Sequence, residues 1–181
     1  MPELSIVIPA YNEEELITDT LDKIFAELRK LKISHEVIVV DDGSSDHTAK
    51  IVKSLKYKNL KLLSLVKNVG KGGALRQGML AAHGDKIIFM DADLSVPLKF
   101  IKPMLSQMSK TDVVIATRRV KTSKIVIHQP LIRETLGRVF TKLTQIMTNT
   151  NLSDYTCGFK GFSHASAQKV FSNAVVDRWA Y

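Results

Sequence analysis

The chain has 181 residues, 45% of them hydrophobic, and 26 Lys and Arg against 18 Asp and Glu give it a net charge of +8 and a pI near 9.6. That length suits one compact domain with an ordinary core, and no apolar run approaches the ~20 residues of a membrane-spanning helix. The charge draws the chain toward phosphates or anionic membrane surfaces, while the lack of aromatic-basic interleaving, zinc-finger or helix-turn-helix signatures argues against nucleic acid.

Leu4 to Pro9 is a short apolar run stopped by proline, and the acids of Asn12-Glu13-Glu14-Glu15 suit the first turn of a helix. Leu16, Leu21, Ile24, Phe25, Leu28 and Leu31 then recur at helical spacing, which predicts a helix reaching about Lys32. Glu36 to Val40 is a second strand that breaks at Asp41-Asp42-Gly43-Ser44-Ser45-Asp46, with Asp46 placed to cap a helix from about His47 to Leu55. A strand at Leu60 to Leu65, a glycine-rich loop, a helix from Gly72 to Ala82 and a strand at Lys86 to Met90 follow, the last ending at Asp91-Ala92-Asp93. Strands alternating with helices predict an α/β fold with a mostly parallel, helix-covered sheet.

Beyond Asp112 the pattern predicts a strand at Val113 to Ala116, a basic stretch from Arg118 to Lys124 and a helix from Pro130 to Met147. A loop with a short strand spans Asp154 to Phe162, and a last helical piece covers Ala165 to Phe171. His128, His164 and Cys157 have no partners at metal-ligand or catalytic spacing and read as structural.

In parallel sheets the carboxyl ends of the strands face one crevice, where ligands bind. Three such ends carry Tyr11 and Glu13, Asp41 and Asp42, and Asp91 and Asp93. Asp91 and Asp93, with a small residue between them, are arranged to turn toward one divalent cation, and oxygen ligands suit Mg²⁺ or Mn²⁺, which also take diphosphate oxygens. Lys71 and Arg76, beside Gly70 and Gly72, are candidates for meeting that diphosphate, because glycine lets backbone approach and cations neutralise phosphate. The loop is not a P-loop, since no Gly-Lys-Ser/Thr follows at the required spacing.

Four segments, Pro9-Ala10-Tyr11-Asn12-Glu13, Val40 to Asp46, Asn68 to Ala74 and Asp91-Ala92-Asp93-Leu94-Ser95, resemble in order and spacing the nucleotide-binding half of family 2 glycosyltransferases. The likeness continues through Thr117-Arg118-Arg119, Gln129 to Glu134, Gly137-Arg138, Cys157-Gly158-Phe159-Lys160 and Asp177 to Tyr181. That second half is similar to the dolichyl-phosphate glucosyltransferase and polyprenyl-phosphate mannosyltransferase branch.

The resemblance implies a single catalytic domain over 1–181 with the GT-A, Rossmann-like fold, acting as an inverting, metal-dependent hexosyltransferase. A sugar from a nucleotide-sugar, UDP-glucose before GDP-mannose, would pass to a polyprenyl or dolichyl phosphate. It implies that Pro9, Tyr11, Glu13 and Asp42 hold the nucleoside, with Tyr11 stacking near the base and Asp42 bonding its edge. Asp93 is expected as the direct metal ligand, with Asp91 in the metal shell or at the donor ribose. Arg118 and Arg133 match arginines that grip the acceptor phosphate, while Arg119, Lys121 and Lys124 read as a basic face toward anionic lipid.

The lone cysteine and the absence of a secretory signal lead to an expected cytoplasmic location, peripheral to the cytoplasmic face of a membrane. The resemblance also implies an acidic residue just past the final aromatic, where this chain stops at Tyr181. A truncated gene product lacking that carboxylate is therefore expected, and the alternative function is a catalytically impaired nucleotide- or membrane-binding module.

Overall fold

A computed structural model of the chain describes residues 1–118 and 131–174, with only the backbone given for 131–136 and 138. Arg119, Lys121, Lys124, His128 and the segment Asp177 to Tyr181 lie outside the described residues. The chain divides into two compact units: a larger one made of Met1–Val114 and the segment from Gly158 onward, and a smaller one, Ile115–Cys157.

The larger unit opens with β1 (Leu4–Ala10), every residue of which is buried. α1 (Ile17–Leu31) follows, burying Ile17, Leu21, Ile24, Phe25 and Leu28 as the helical spacing requires, and it ends where Lys32 turns left-handed at φ 53°. β2 (His35–Asp41), α2 (Thr48–Ser54), β3 (Leu60–Ser64), α3 (Lys71–Ala81) and β4 (Lys86–Met90) continue the alternation. A single 3₁₀ turn at Leu98–Phe100 leads into α4 (Ile101–Met108), an element the sequence pattern did not reveal. Its apolar residues Ile101, Met104, Leu105 and Met108 fall at i, i+3, i+4 and i+7, but over two turns only, and Pro97 and Pro103, which read as turn signals, mask that spacing.

β5 (Val113–Ile115) leaves the larger unit, and β6 (Phe159–Ser163) and α6 (His164–Ser172) lie in it. The six strands are ordered β3-β2-β1-β4-β6-β5. β1 pairs in parallel with β2 and β4, and β2 with β3, whereas β6 runs antiparallel to β4. Sequence reading could not supply that reversal, because a five-residue strand carries no mark of its direction.

One face of the sheet is closed by α3 and α6 around Val7, Val40, Leu75, Met79, Phe89, Phe162 and Phe171. Gly78 lets α3 approach: a Cβ there would strike Val7 Cγ1 and lie 2.7 Å from Val40 Cγ2. At the amino ends of the strands, buried Glu36 accepts from Ser5 Oγ at 2.6 Å, His83 N at 2.7 Å and Lys61 Nζ at 2.8 Å. Those bonds bind β1, β2, β3 and the turn before β4 to one carboxylate.

In the smaller unit α5 (Leu131–Thr148) runs between β5 and β6 in sequence. Val139, Phe140, Leu143, Ile146 and Met147 are all exposed. Among the described residues no helix is long and apolar enough to cross a membrane.

Candidate active site

The carboxyl ends of β1, β2 and β4 open into a cleft of about 310 Å³ lined by Pro9, Tyr11, Glu13, Asp42, Lys71, Asp91 and Asp93, with Asn68, Gly70 and small residues between. Parallel pairing of these three strands is what brings Pro9 to Glu13, Asp42 and Asp91 to Asp93 together from distant parts of the sequence. Tyr11, 47% exposed, offers a ring face at the rim.

Behind it the backbone is tied down. Asn12 takes a left-handed φ of 56° and its Oδ1 accepts from Ser45 N at 2.9 Å, while Asn12 N donates to Ser44 Oγ at 2.9 Å. Asp46 accepts from Thr48 N at 2.9 Å and from Glu14 N at 3.1 Å, so the residue expected to cap a helix also joins the two loops. The first helical residue is Thr48, and the N-cap position itself is His47.

Asp42 is buried, and its two oxygens accept from Val69 N at 2.8 Å and Gly70 N at 2.9 Å. It lines the cleft, yet much of its hydrogen-bonding capacity holds the glycine-rich loop rather than standing open to a base edge. Gly70 itself sits at φ 91°, a conformation few other residues adopt, and starts α3 with Lys71 facing the cleft.

Asp91 and Asp93 follow β4 on a turn closed by Leu94 N to Asp91 O at 3.2 Å, with Leu94 at φ 51°. Ala92 between them is buried, and its carbonyl accepts from Thr20 Oγ1 on α1 at 2.6 Å. That bond anchors the turn, and Asp91, Ala92 and Asp93 all line the cleft. Asp93 Oδ1 accepts from Ser95 N at 2.9 Å. Asp91 Oδ1 is buried without a hydrogen bond, and Lys71 Nζ stands 2.7 Å from it as an ion-pair partner. Glu13 completes the acidic wall: burial, then the charges of Asp93, Asp46 and Asp91, push its carboxyl above the usual range against the opposing pull of Lys71.

Among the described residues no group of three or more His, Cys, Asp or Glu is arranged to hold a metal. The Asp91 and Asp93 pair nevertheless suits a cation that takes one or two carboxylates and completes its shell with water and phosphate oxygens. Asp91 Oδ1 is an acceptor already stripped of solvent, with the Lys71 ammonium beside it, in a cleft whose carboxylates outnumber that cation.

One residue expected at the diphosphate is placed elsewhere. Arg76 is not among the cleft-lining residues, because its Nε donates to Phe171 O at 3.0 Å at the end of α6. A step of five residues along α3 turns it away from Lys71. Arg118 lies in the smaller unit with its guanidinium forked on buried Asp154, Nε to Oδ2 at 2.8 Å and Nη2 to Oδ1 at 3.1 Å. Burial opposes the charge on Asp154, but the Arg118 hydrogen bonds and charge outweigh it and hold the carboxyl below its usual range. Arg133 lies on α5, and only its backbone is described. Asn68 lines the cleft and had been given no role, though it begins the glycine-rich segment. Cys157 is buried, and His164 Nδ1 lies 3.2 Å from Gly84 O, in keeping with structural duties.

Residues 5–171 match Glycosyl transferase family 2. The chain belongs to that family. It is 33% identical over 198 residues to the dolichyl-phosphate beta-glucosyltransferase of Drosophila melanogaster, covering 99% of this chain and 60% of that protein. The human dolichyl-phosphate beta-glucosyltransferase is 32% identical, with 99% and 60% covered. The chain thus spans about 60% of the length of the curated relatives it matches.

Among solved structures, glucosyl-3-phosphoglycerate synthase from Mycobacterium tuberculosis, with Mn²⁺, UDP and phosphoglyceric acid, superposes at a TM-score of 0.65. It is 24% identical, with 91% of this chain and 56% of that chain covered. A mannosyltransferase from Pyrobaculum calidifontis, with GDP-Man and Mn²⁺, gives 0.61 at 21% identity, with 90% and 44% covered. The family's GT-A fold is therefore the fold of this chain.

Proposed function

We propose that this family member is an inverting hexosyltransferase that moves a sugar from a nucleotide-sugar to a polyprenyl or dolichyl phosphate, with UDP-glucose the first donor and GDP-mannose the second. The observation that carries the reading is the convergence of Tyr11, Lys71, Asp91 and Asp93 on one cleft at the carboxyl ends of three parallel strands. The names of the relatives, dolichyl-phosphate beta-glucosyltransferases, support the glucosyl choice.

In this reading Tyr11 stacks on the nucleobase, Pro9, Glu13 and Asp42 surround the nucleoside, and Lys71 meets the diphosphate. Asp91 and Asp93 hold Mg²⁺ or Mn²⁺. A cation bound there supplies charge neutralisation for the departing diphosphate. An oxygen of the acceptor phosphate forms the new bond to the anomeric carbon as the bond to the nucleoside diphosphate breaks, inverting that centre. A phosphate monoester is ionised near neutral pH, so orientation and charge neutralisation replace a strong general base.

Arg118 and Arg133 are assigned to the acceptor phosphate, as guanidinium matches its oxygens. The two units act as one catalytic domain. Contact with the cytoplasmic face of a membrane is assigned to the smaller unit, where the exposed apolar residues of α5 accompany a chain of net charge +8.

A screen of radiolabelled UDP- and GDP-sugars with a short polyprenyl phosphate, run on this chain and on Asp93→Ala, tests the proposal. Transfer lost in the variant alone supports it. Equal transfer in both overturns the assignment of Asp93, and metal-dependent nucleotide binding with no transfer from any donor favours the binding-module alternative.

A further inference from the structure

Asp91 is the first residue beyond β4, and β6 runs antiparallel to β4 with Met90 opposite Phe159. One step outward along each strand sets Gly158 against Asp91. A Cβ built on Gly158 would fall inside the Asp91 carboxylate, against Oδ2, Cγ and Oδ1 together. Gly158 is not one of the glycines with a positive φ, so its backbone conformation is open to any residue. Glycine is needed here for room.

Its neighbours Cys157 and Phe159 are both buried, which leaves β6 little freedom to retreat. The mobile party in any collision is therefore the carboxylate. One of the atoms that Cβ would strike, Asp91 Oδ1, is also the one that pairs with Lys71 Nζ at 2.7 Å. The carboxylate thus touches both a bare backbone and an ammonium.

We infer that Gly158 is a positioning residue, whose missing side chain lets the Asp91 carboxylate lie against the start of β6 and so face Lys71 and the cleft. The inference deepens the proposed donor site and rests on that reading for its effect on ligand. A side chain at 158 would swing the carboxylate off Lys71 and out of register with a cation. Displacement of an oriented group by about 1 Å costs on the order of 10²-fold in rate, and loss of a group that orients a metal ligand costs about 10- to 100-fold in metal affinity.

The test is a cycle of four proteins: the unaltered chain, Gly158→Ala, Asp91→Ala and the double variant. Mn²⁺ affinity by electron paramagnetic resonance, UDP affinity by calorimetry and the thermal midpoint are measured on each. Gly158→Ala is expected to weaken Mn²⁺ and UDP binding by about 10-fold or more, and to add nothing further once Asp91 is already alanine. Unchanged binding in Gly158→Ala, or an equal additional loss in the Asp91→Ala background, overturns the inference. Should Gly158→Ala fail to fold, a double variant that folds as well as Asp91→Ala supports the collision, and one that also fails overturns it. If the unaltered chain binds neither Mn²⁺ nor UDP, the donor site is refuted, and non-additivity of the thermal midpoints then decides the Gly158–Asp91 relation separately.

Discussion

Lys71 Nζ lies 2.7 Å from Asp91 Oδ1, an ion pair that joins the first residue of α3 to the residue following β4 at the cleft. Asp91 has no hydrogen bond at that oxygen, so the ammonium's charge compensates a buried acceptor. In the proposed donor site the same ammonium would share with a cation in neutralising the diphosphate. Lys71→Met is expected to weaken UDP binding in the presence of Mn²⁺ by roughly 10-fold or more, since hydrogen bonds to charged groups contribute about 1.5–3 kcal/mol. Calorimetry checks this, and an unaltered affinity would put the diphosphate away from Lys71.

Glu36 lies at the amino ends of the strands, away from the cleft, where three donors converge on one buried carboxylate. Glu36→Gln turns an amide nitrogen toward at least one of those donors and loses the charge that Lys61 faces. A loss of about 1–3 kcal/mol is expected in urea unfolding, with UDP affinity unchanged for the folded protein. Half of the Lys61 side chain is exposed, so Lys61→Ala should cost less than Glu36→Gln.

Acid sensitivity follows from Glu36 and Asp154. Burial works against both charges, but hydrogen bonds and charge from Lys61, Ser5 and His83 for Glu36, and from Arg118 and Thr156 for Asp154, lower both folded-state values. Their stabilisation is complete above the ordinary carboxylate range and disappears as pH falls through the lowered values. Glu13 has the opposite sign: its raised value means that its cost appears as pH rises through that value and vanishes in acid. Urea midpoints measured from neutral pH downward should fall below the carboxylate range, and Asp154→Asn should fall less steeply. Equal slopes for both proteins would remove Asp154 from the account.

Gly78 is where α3 rests on the sheet. Gly78→Ala would force a methyl into Val7 and Val40, both on buried strands, and overpacking of this kind costs about 1–3 kcal/mol. Helix propensity favours alanine by about 1 kcal/mol, which offsets part of that loss. A thermal midpoint equal to or above that of the unaltered chain would show that the two layers have slack.

The alternation of strands and helices up to Met90 was legible because β1, β2 and β4 are runs of buried apolar residues ended by a polar or glycine-containing turn, as at Val40 followed by Asp41 to Ser45, and β3, though only half-buried, is a short leucine-rich run. Strand-end acids declared the cleft for the same reason, since a polar residue directly after a buried strand has one place to go in a parallel sheet. Side-chain direction within a helix was harder to see. Lys71 and Arg76 lie on one helix, yet five residues along it send Arg76 to the end of α6.

The double engagement of Asp42 was also hidden, because its partners are backbone amides at Val69 and Gly70 and leave no trace in residue identity. α4 is masked by Pro103 in its first turn, and the antiparallel course of β6 by the lack of any directional signal. Gly158 stood in a recognised motif, but only the register of β6 on β4 gives it a neighbour.

β5 and β6 are adjacent in the sheet, and the smaller unit is the stretch of chain strung between them. An excursion whose departure and return are held side by side can lengthen, shorten or change its chemistry without altering the pairing of β1, β2 and β4. Insertions or exchanges within that stretch would therefore leave the strand ends that line the cleft where they are.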